Sequence, residues 1–215
     1  MRRSRVTRDG VRDVGYTLVE ALVVMMIFGV VFAIIMGILI QVSYSTADNM
    51  TRISQVRNAE LGLMQIDRQV RSGNVILDPS NETEPNSGVE PGSSLRVFTQ
   101  TDGVHQCVQW RVNANDDGRG VLEYRSWEPN WEELGLEVTE WAVVARDLVA
   151  DPNGSQPFTR SGHSDTNAET SSVDVAIFVQ AERARSSATA VRTTLTGRNT
   201  VYGYPIDRCD NVPAP

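Results

Sequence analysis

The sequence predicts an α+β protein in which a long N-terminal α-helix packs on an antiparallel β-sheet domain. Three observations predict it. Residues 21–40 (ALVVMMIFGVVFAIIMGILI) hold no charged side chain. Val56, Ala59, Leu63, Ile66 and Val70 recur at spacings of three and four, which places them on one face of a helix. From residue 94 onward, short apolar runs alternate with polar residues between turn signals, the pattern of half-buried antiparallel strands.

The first fifteen residues form a basic leader. Arg2, Arg3, Arg5, Arg8 and Arg12 outweigh Asp9 and Asp13, so the acidic balance of the chain, net charge -7, belongs entirely to the residues beyond the leader. An acidic body of that kind repels phosphate backbones, which makes nucleic acid a poor partner. The chain has no Lys and only two His, which excludes a Walker A loop, a Schiff base and a multi-histidine metal centre. At 1.5 Å per residue the apolar run spans about 30 Å, the thickness of a bilayer's hydrocarbon core. By the positive-inside rule its basic flank stays cytoplasmic and the rest of the chain lies outside. A secretory signal is the alternative, with Ser45-Thr46-Ala47 as a small-residue cleavage site, but its apolar core would be only about 7 to 15 residues long. Length favours a retained anchor.

At the mouth of this run the chain reads Val14-Gly15-Tyr16-Thr17-Leu18-Val19-Glu20. An ionised Glu20 there costs a few kcal/mol unless it reaches the headgroups or meets a partner charge at the same depth. Residues 41–73 turn polar but keep the helical stripe. A single helix from Tyr16 to about Arg71 would be roughly 80 Å long, which suits a filament subunit, a coiled coil or a stalk. Glu60 and Asp67 interrupt a sustained heptad, so the stripe is expected to pack on the sheet downstream.

Ser72-Gly73-Asn74 supplies a helix stop, and residues 74–93 read as a variable loop. Its part from 78 to 93 (DPSNETEPNSGVEPGS) is too rich in Pro, Gly, Ser and acid to contribute a packed core. Residues 94–215 form the β domain, with strands expected at 95–100, 105–112, 121–127, 136–149, 173–181 and 191–196, followed by a C-terminal tail. Trp127, Trp131 and Trp141 are expected in the core or at sheet edges.

Cys107 and Cys209 are the two cysteines. Both fall outside the membrane, where an oxidising compartment favours a disulfide, against two buried free thiols. Asn113-Ala114-Asn115-Asp116-Asp117-Gly118 resembles the start of a calcium loop, but Tyr124 stands where an EF-hand needs its bidentate Glu. This leaves a simple calcium turn or a plain hairpin loop. Gly162-His163-Ser164-Asp165 sets Ser, His and Asp side by side, whereas a hydrolase triad is assembled from separated segments, so this is a polar loop. His105 starts a strand and is expected to be structural. No enzyme site, cofactor or metal is expected.

The order of basic leader, Gly15, aromatic Tyr16, Thr17-Leu18-Val19-Glu20 and apolar helix resembles the prepilin processing signal of type IV pilins and pseudopilins. The resemblance covers residues 15–40. It implies cleavage after Gly15 by a membrane-embedded prepilin peptidase, N-methylation of Tyr16, and assembly through Glu20, which becomes the fifth mature residue and pairs with the N-terminal amine of a neighbouring subunit. Tyr16 replaces the usual Phe. Gly29 falls where major pilins carry a helix-softening Gly, and Gly37 replaces the Pro typical of them. Pilins often carry a C-terminal disulfide, which the Cys107 and Cys209 pair would match. The strands and the stretch Met64–Ser72 look loosely like the J-type pseudopilin and PilW-like minor pilin group. The function implied is a minor pilin or pseudopilin, a structural subunit of a type IV pilus or type II secretion-like filament, placed at its tip or in initiation. Its partners would be the prepilin peptidase, other pilin subunits and the cytoplasmic membrane, with the protein then displayed in a surface filament. The rival from another class is a single-pass, membrane-anchored adhesive domain that does not polymerise. A third is a secreted enzyme released after Ala47.

Overall fold

The structure, a computed structural model, describes residues 17–101, 103–115, 118–161, 171–180, 187–198 and 203–215. The chain divides into two compact units, Met1–Ala47 and Asp48–Pro215.

Helix α1 covers Leu18–Arg71. Thr17 opens it: its carbonyl accepts from the Ala21 amide (3.2 Å) and its hydroxyl from the Glu20 amide (3.3 Å), the side-chain bond of a helix N-cap. Within the first unit every described residue is exposed, including the large apolar side chains between Leu18 and Ile40. The helix is long and apolar enough to cross a membrane. It runs unbroken through Gly29 and Gly37, neither of which has a neighbouring atom where a Cβ would stand.

In the second unit the helix turns one face inward. Ala59, Leu63, Ile66 and Val70 are buried and Val56 half-buried, as the spacing predicts, and Gln55 and Gly62 join them. The helix ends at Arg71 with Arg68 and Arg71 in its last turn, where cations suit the helix dipole. Ser72 stops it, its hydroxyl donating to the Arg68 carbonyl and bonding Thr99 at 2.7 Å.

Among the described residues, eight antiparallel strands come after the helix: β1 Gly73–Ile76, β2 Ser94–Thr101, β3 Val104–Ala114, β4 Arg119–Trp127, β5 Ala142–Val149, β6 Phe158–Arg160, β7 Ser172–Val179 and β8 Thr189–Thr196. They form one curled sheet in the order β1-β2-β3-β4-β5-β7-β6, with β8 along the other side of β7. Two strands were not expected. β1 opens the stretch read as loop, because the chain leaving the helix lies directly against β2. The three-residue β6 is too short to carry an alternation signal. The run expected at 136–149 becomes a strand only at Ala142. Before it, Thr139 meets Ser126 through both backbone and side chain, without a ladder.

The period-two alternation gives the sheet two apolar faces. Leu95, Val97, Val108, Trp110, Leu122, Leu148 and Val175 pack with the buried face of α1. Val75, Leu77, Phe98, Cys107, Trp127 and Cys209 form a second cluster. At Gly62 helix and sheet approach closely: a Cβ there would lie 2.8 Å from Leu122 Cδ2 and 3.4 Å from Val144 Cγ1. Helix propensity alone favours replacing this glycine by about 1 kcal/mol. Packing is expected to win, so Gly62→Leu should destabilise by about 1–3 kcal/mol. The urea midpoint should fall with an unchanged slope, and a raised midpoint would show that the sheet can retreat.

Candidate functional site

Of the residues singled out in the sequence, Gly15 and Tyr16 lie outside the described residues, as do His163, Ser164 and Asp165. Glu20 stands exposed in the first turn of α1. Thr17-Leu18-Val19-Glu20 has the S/T-x-x-E spacing of a capping box, and the half of it that runs from the Glu20 amide to the Thr17 hydroxyl is formed. A carboxylate in the first turn is also favoured by the helix dipole. Among the described residues no cation lies within ion-pair distance of Glu20.

Cys107 and Cys209 form a disulfide with their Cα atoms 5.7 Å apart. Asn113 and Ala114 end β3, paired with Val121 and Gly120 of β4, and Asn115 and Gly118 belong to the connection, closed by the Gly118 amide on the Asn115 carbonyl (2.9 Å), while 116 and 117 lie outside the described residues. Among the described residues no three His, Cys, Asp or Glu side chains gather as a metal site would require. His105 is exposed and stacks edge-on with Phe98 and Tyr204, at ring separations of 5.3 and 6.0 Å. Trp127 is buried in the second cluster, whereas Trp131 and Trp141 are half-buried.

The main correction concerns residues 78–93, expected to add nothing to the core. Asp78, Glu82 and Ser87 are buried. Asp78 caps a 3-10 turn at Pro79–Asn81, and helix α2 (Glu84–Ser87) comes next. The segment lies over the sheet face that carries the second cluster, and together they enclose a polar network that sequence reasoning missed. Arg96 of β2, Gln109 and Arg111 of β3, and Arg125 of β4 point to that face, all nearly or fully buried. Period-two alternation places them away from the helix and therefore reads them as solvated. A signal was available: Phe98, Cys107 and Trp127 share their phase, and a face carrying those residues is not left to water.

Each guanidinium is held differently. Arg96 Nε pairs with Glu82 at 2.8 Å and its Nη1 donates to the Cys209 carbonyl. Arg111 Nε pairs with Glu123 at 2.7 Å, its Nη1 donates to the Ser87 carbonyl (2.8 Å), and its plane lies 3.8 Å from the Trp141 ring centre. Among the described residues no carboxylate lies within ion-pair distance of Arg125. That guanidinium donates to Gln109 Oε1 (3.0 and 2.7 Å) and to the carbonyls of Asn86 (3.1 Å), Pro213 (2.8 Å) and Ala214 (2.6 Å), beneath the same indole at 4.3 Å. Burial, and then the like charge of Arg111, pull its pKa down to about 10, so it stays a cation at neutral pH. Burial pushes the Glu82 carboxyl up, further than the adjoining Arg96 pulls it down. Gln109 Nε2 reaches Glu82 at 3.3 Å, linking the Arg96 and Arg125 groups.

This network pins two irregular segments, residues 78–93 and the C-terminal tail, onto the sheet through directional bonds. A separate cavity of about 330 Å³ lies beside Leu148, Asp151, Gln156 and Phe178. Asp151 accepts from the Asn153 amide, the main reason its carboxyl is held below its ordinary value. Comparison with protein-family models, with curated proteins and with solved structures finds no match for this chain.

Proposed function

We propose that the chain is a minor pilin or pseudopilin, processed by a prepilin peptidase and built into a type IV pilus or type II secretion-like filament. The observation that carries this reading is the helix start. Glu20 stands in the first turn of a helix whose apolar residues from Ala21 to Ile40 are all exposed, directly after Gly15-Tyr16-Thr17. Exposed apolar surface on that scale needs lipid or other helices to cover it. A prepilin passes from the one to the other: it is held in the cytoplasmic membrane with its basic leader inside, is cut after Gly15 and methylated on Tyr16, and then joins neighbouring subunits. Glu20 in this reading attracts the new N-terminal amine of a neighbour, a charge pair strengthened by low-dielectric surroundings. The sheet domain then faces outward, its tail tied back by Cys107–Cys209, and contacts other subunits or the filament's cargo. A tip or initiation role rests on the resemblance to minor components.

The Thr17–Glu20 capping geometry favours a second reading, in which Glu20 serves only to start the helix of a membrane-anchored adhesive domain. Glu20→Gln separates the two, because Gln serves in a capping box and carries no charge. Under the filament reading, incorporation of Glu20→Gln into sheared filaments falls at least tenfold while its level in the membrane is unchanged. Unaltered incorporation would favour the anchor. The N-terminal peptide, taken from the native envelope and weighed by mass spectrometry, should begin at Tyr16 with one added methyl group. A chain beginning at Met1 or at Asp48 would remove the processing step on which the proposal rests.

A further inference from the structure

The C-terminal residues lie in a lane whose contacts come from the side chains of the body. Trp131 Nε1 donates to the Asn211 carbonyl (3.0 Å), and Arg125 donates to those of Pro213 and Ala214. Asn211 Nδ2 donates in turn to Glu132 Oε2 at 2.9 Å. Val212 packs on the second apolar cluster beside Trp131, and Pro213 is buried. At the far end Gly88 keeps the lane narrow: a Cβ there would lie 3.0 Å from Pro215 Cβ and 2.9 Å from Arg111 Nη1, at a φ of +73°. Among the described residues the tail pairs with no strand. The chain bends at Asn211, where the Val212 amide donates to the Asp210 carbonyl (2.9 Å), and from there it is held as a proline-containing peptide ligand is held, with an indole N–H and a guanidinium taking backbone carbonyls and the second apolar cluster taking Val212.

The lane also extends beyond what the tail fills. At its Asn211 end a hollow of about 520 Å³ opens among Asn130, Glu133, Asp207 and Arg208. The chain's own course turns away there, into the 3-10 turn Ile206–Cys209 and the disulfide. A separate polypeptide is free of that turn and can run straight on.

From this geometry we infer that the lane is a peptide-recognition site, occupied in cis by residues 211–215, for a segment of a partner protein. The fitting segment carries an amide or cationic side chain opposite Glu132, then an apolar residue, a proline and a small residue, in the order shown by Asn211-Val212-Pro213-Ala214. The tail acts as a tethered competitor, held near the lane by Cys209 and displaced when a partner segment binds. The inference does not depend on filament assembly.

The test uses the full-length chain in detergent with Val212→Asp and Pro213→Gly, which dislodge the tail and leave Cys209 in place. A fluorescent peptide Asn-Val-Pro-Ala-Pro, preceded by four residues to fill the hollow, is titrated by anisotropy. The expected result is saturable binding at least tenfold tighter than to the unaltered chain, and a loss of at least tenfold when Trp131→Phe is added, which keeps an aromatic ring but removes the indole donor. Equal binding to altered and unaltered chains, or equal binding of a peptide with alanine at both proline positions, overturns the inference. Should the double variant fail to fold, the unaltered chain decides. Excess peptide must shift the Trp131 indole N–H resonance saturably, and an unmoved resonance at millimolar peptide overturns the site.

Discussion

Glu82→Ala is expected to lower the stability of the sheet domain by about 3–5 kcal/mol, because it leaves Arg96 buried without its carboxylate. The measurement is urea unfolding of the detergent-solubilised chain, followed by tryptophan fluorescence. A loss below about 1 kcal/mol would mean that water reaches Arg96 and that the network is not sealed. Replacing both partners, Glu82→Met with Arg96→Met, should recover much of the loss, since an apolar pair of similar volume avoids the cost of burying ions. What remains would reflect the Cys209 carbonyl, which loses its donor. Glu82→Gln adds a test of sign. Burial raises the Glu82 pKa in the folded state, so the stability this carboxyl contributes is fully present below its unfolded value of 4.5 and is lost as pH rises through the folded one. Wild type should therefore gain on the Gln variant as pH is lowered from 7 towards 4.5. The opposite trend would show Arg96 outweighing burial.

Replacing both cysteines, Cys107→Ala with Cys209→Ala, should cost about 4–5 kcal/mol if the chain-entropy model holds for bridged residues 102 apart in sequence. The same unfolding experiment reads this as a lowered midpoint. The substitution also frees the tail, whose Cys209 carbonyl holds Arg96 and whose Pro213 and Ala214 carbonyls hold Arg125. Trp131, which donates to Asn211, should then change its fluorescence below the unfolding transition. An unchanged signal with a full loss of stability would show that the tail stays seated without its tether.

Helix and strands were legible because each obeys a short period. Spacings of three and four between Val56 and Val70 named the buried helical face, and Val108-Gln109-Trp110-Arg111-Val112 named both the strand and its two faces. Alternation could not tell whether the second face is wet. Arg96, Arg111 and Arg125 look like solvated positions until residues 78–93 and 209–214, more than a hundred positions apart in sequence, are laid over the same strands. No local pattern encodes that meeting. Residues 78–93 misled for the same reason: their Pro, Gly and acidic content argues against an apolar core, and they supply instead a carboxylate and carbonyls to buried cations.

The sequence by itself determined the α+β class, the apolar stretch fit to cross a membrane and the core-facing stripe of α1. These depend on composition and on periods of two and 3.6 residues, which act between near neighbours along the chain. The tertiary structure alone decided the strand order around β7, the close approach at Gly62, the buried arginine network and the lane that seats the tail. Those depend on which distant segments exclude water together, and burial of that kind is a property of the folded surface rather than of any stretch of residues.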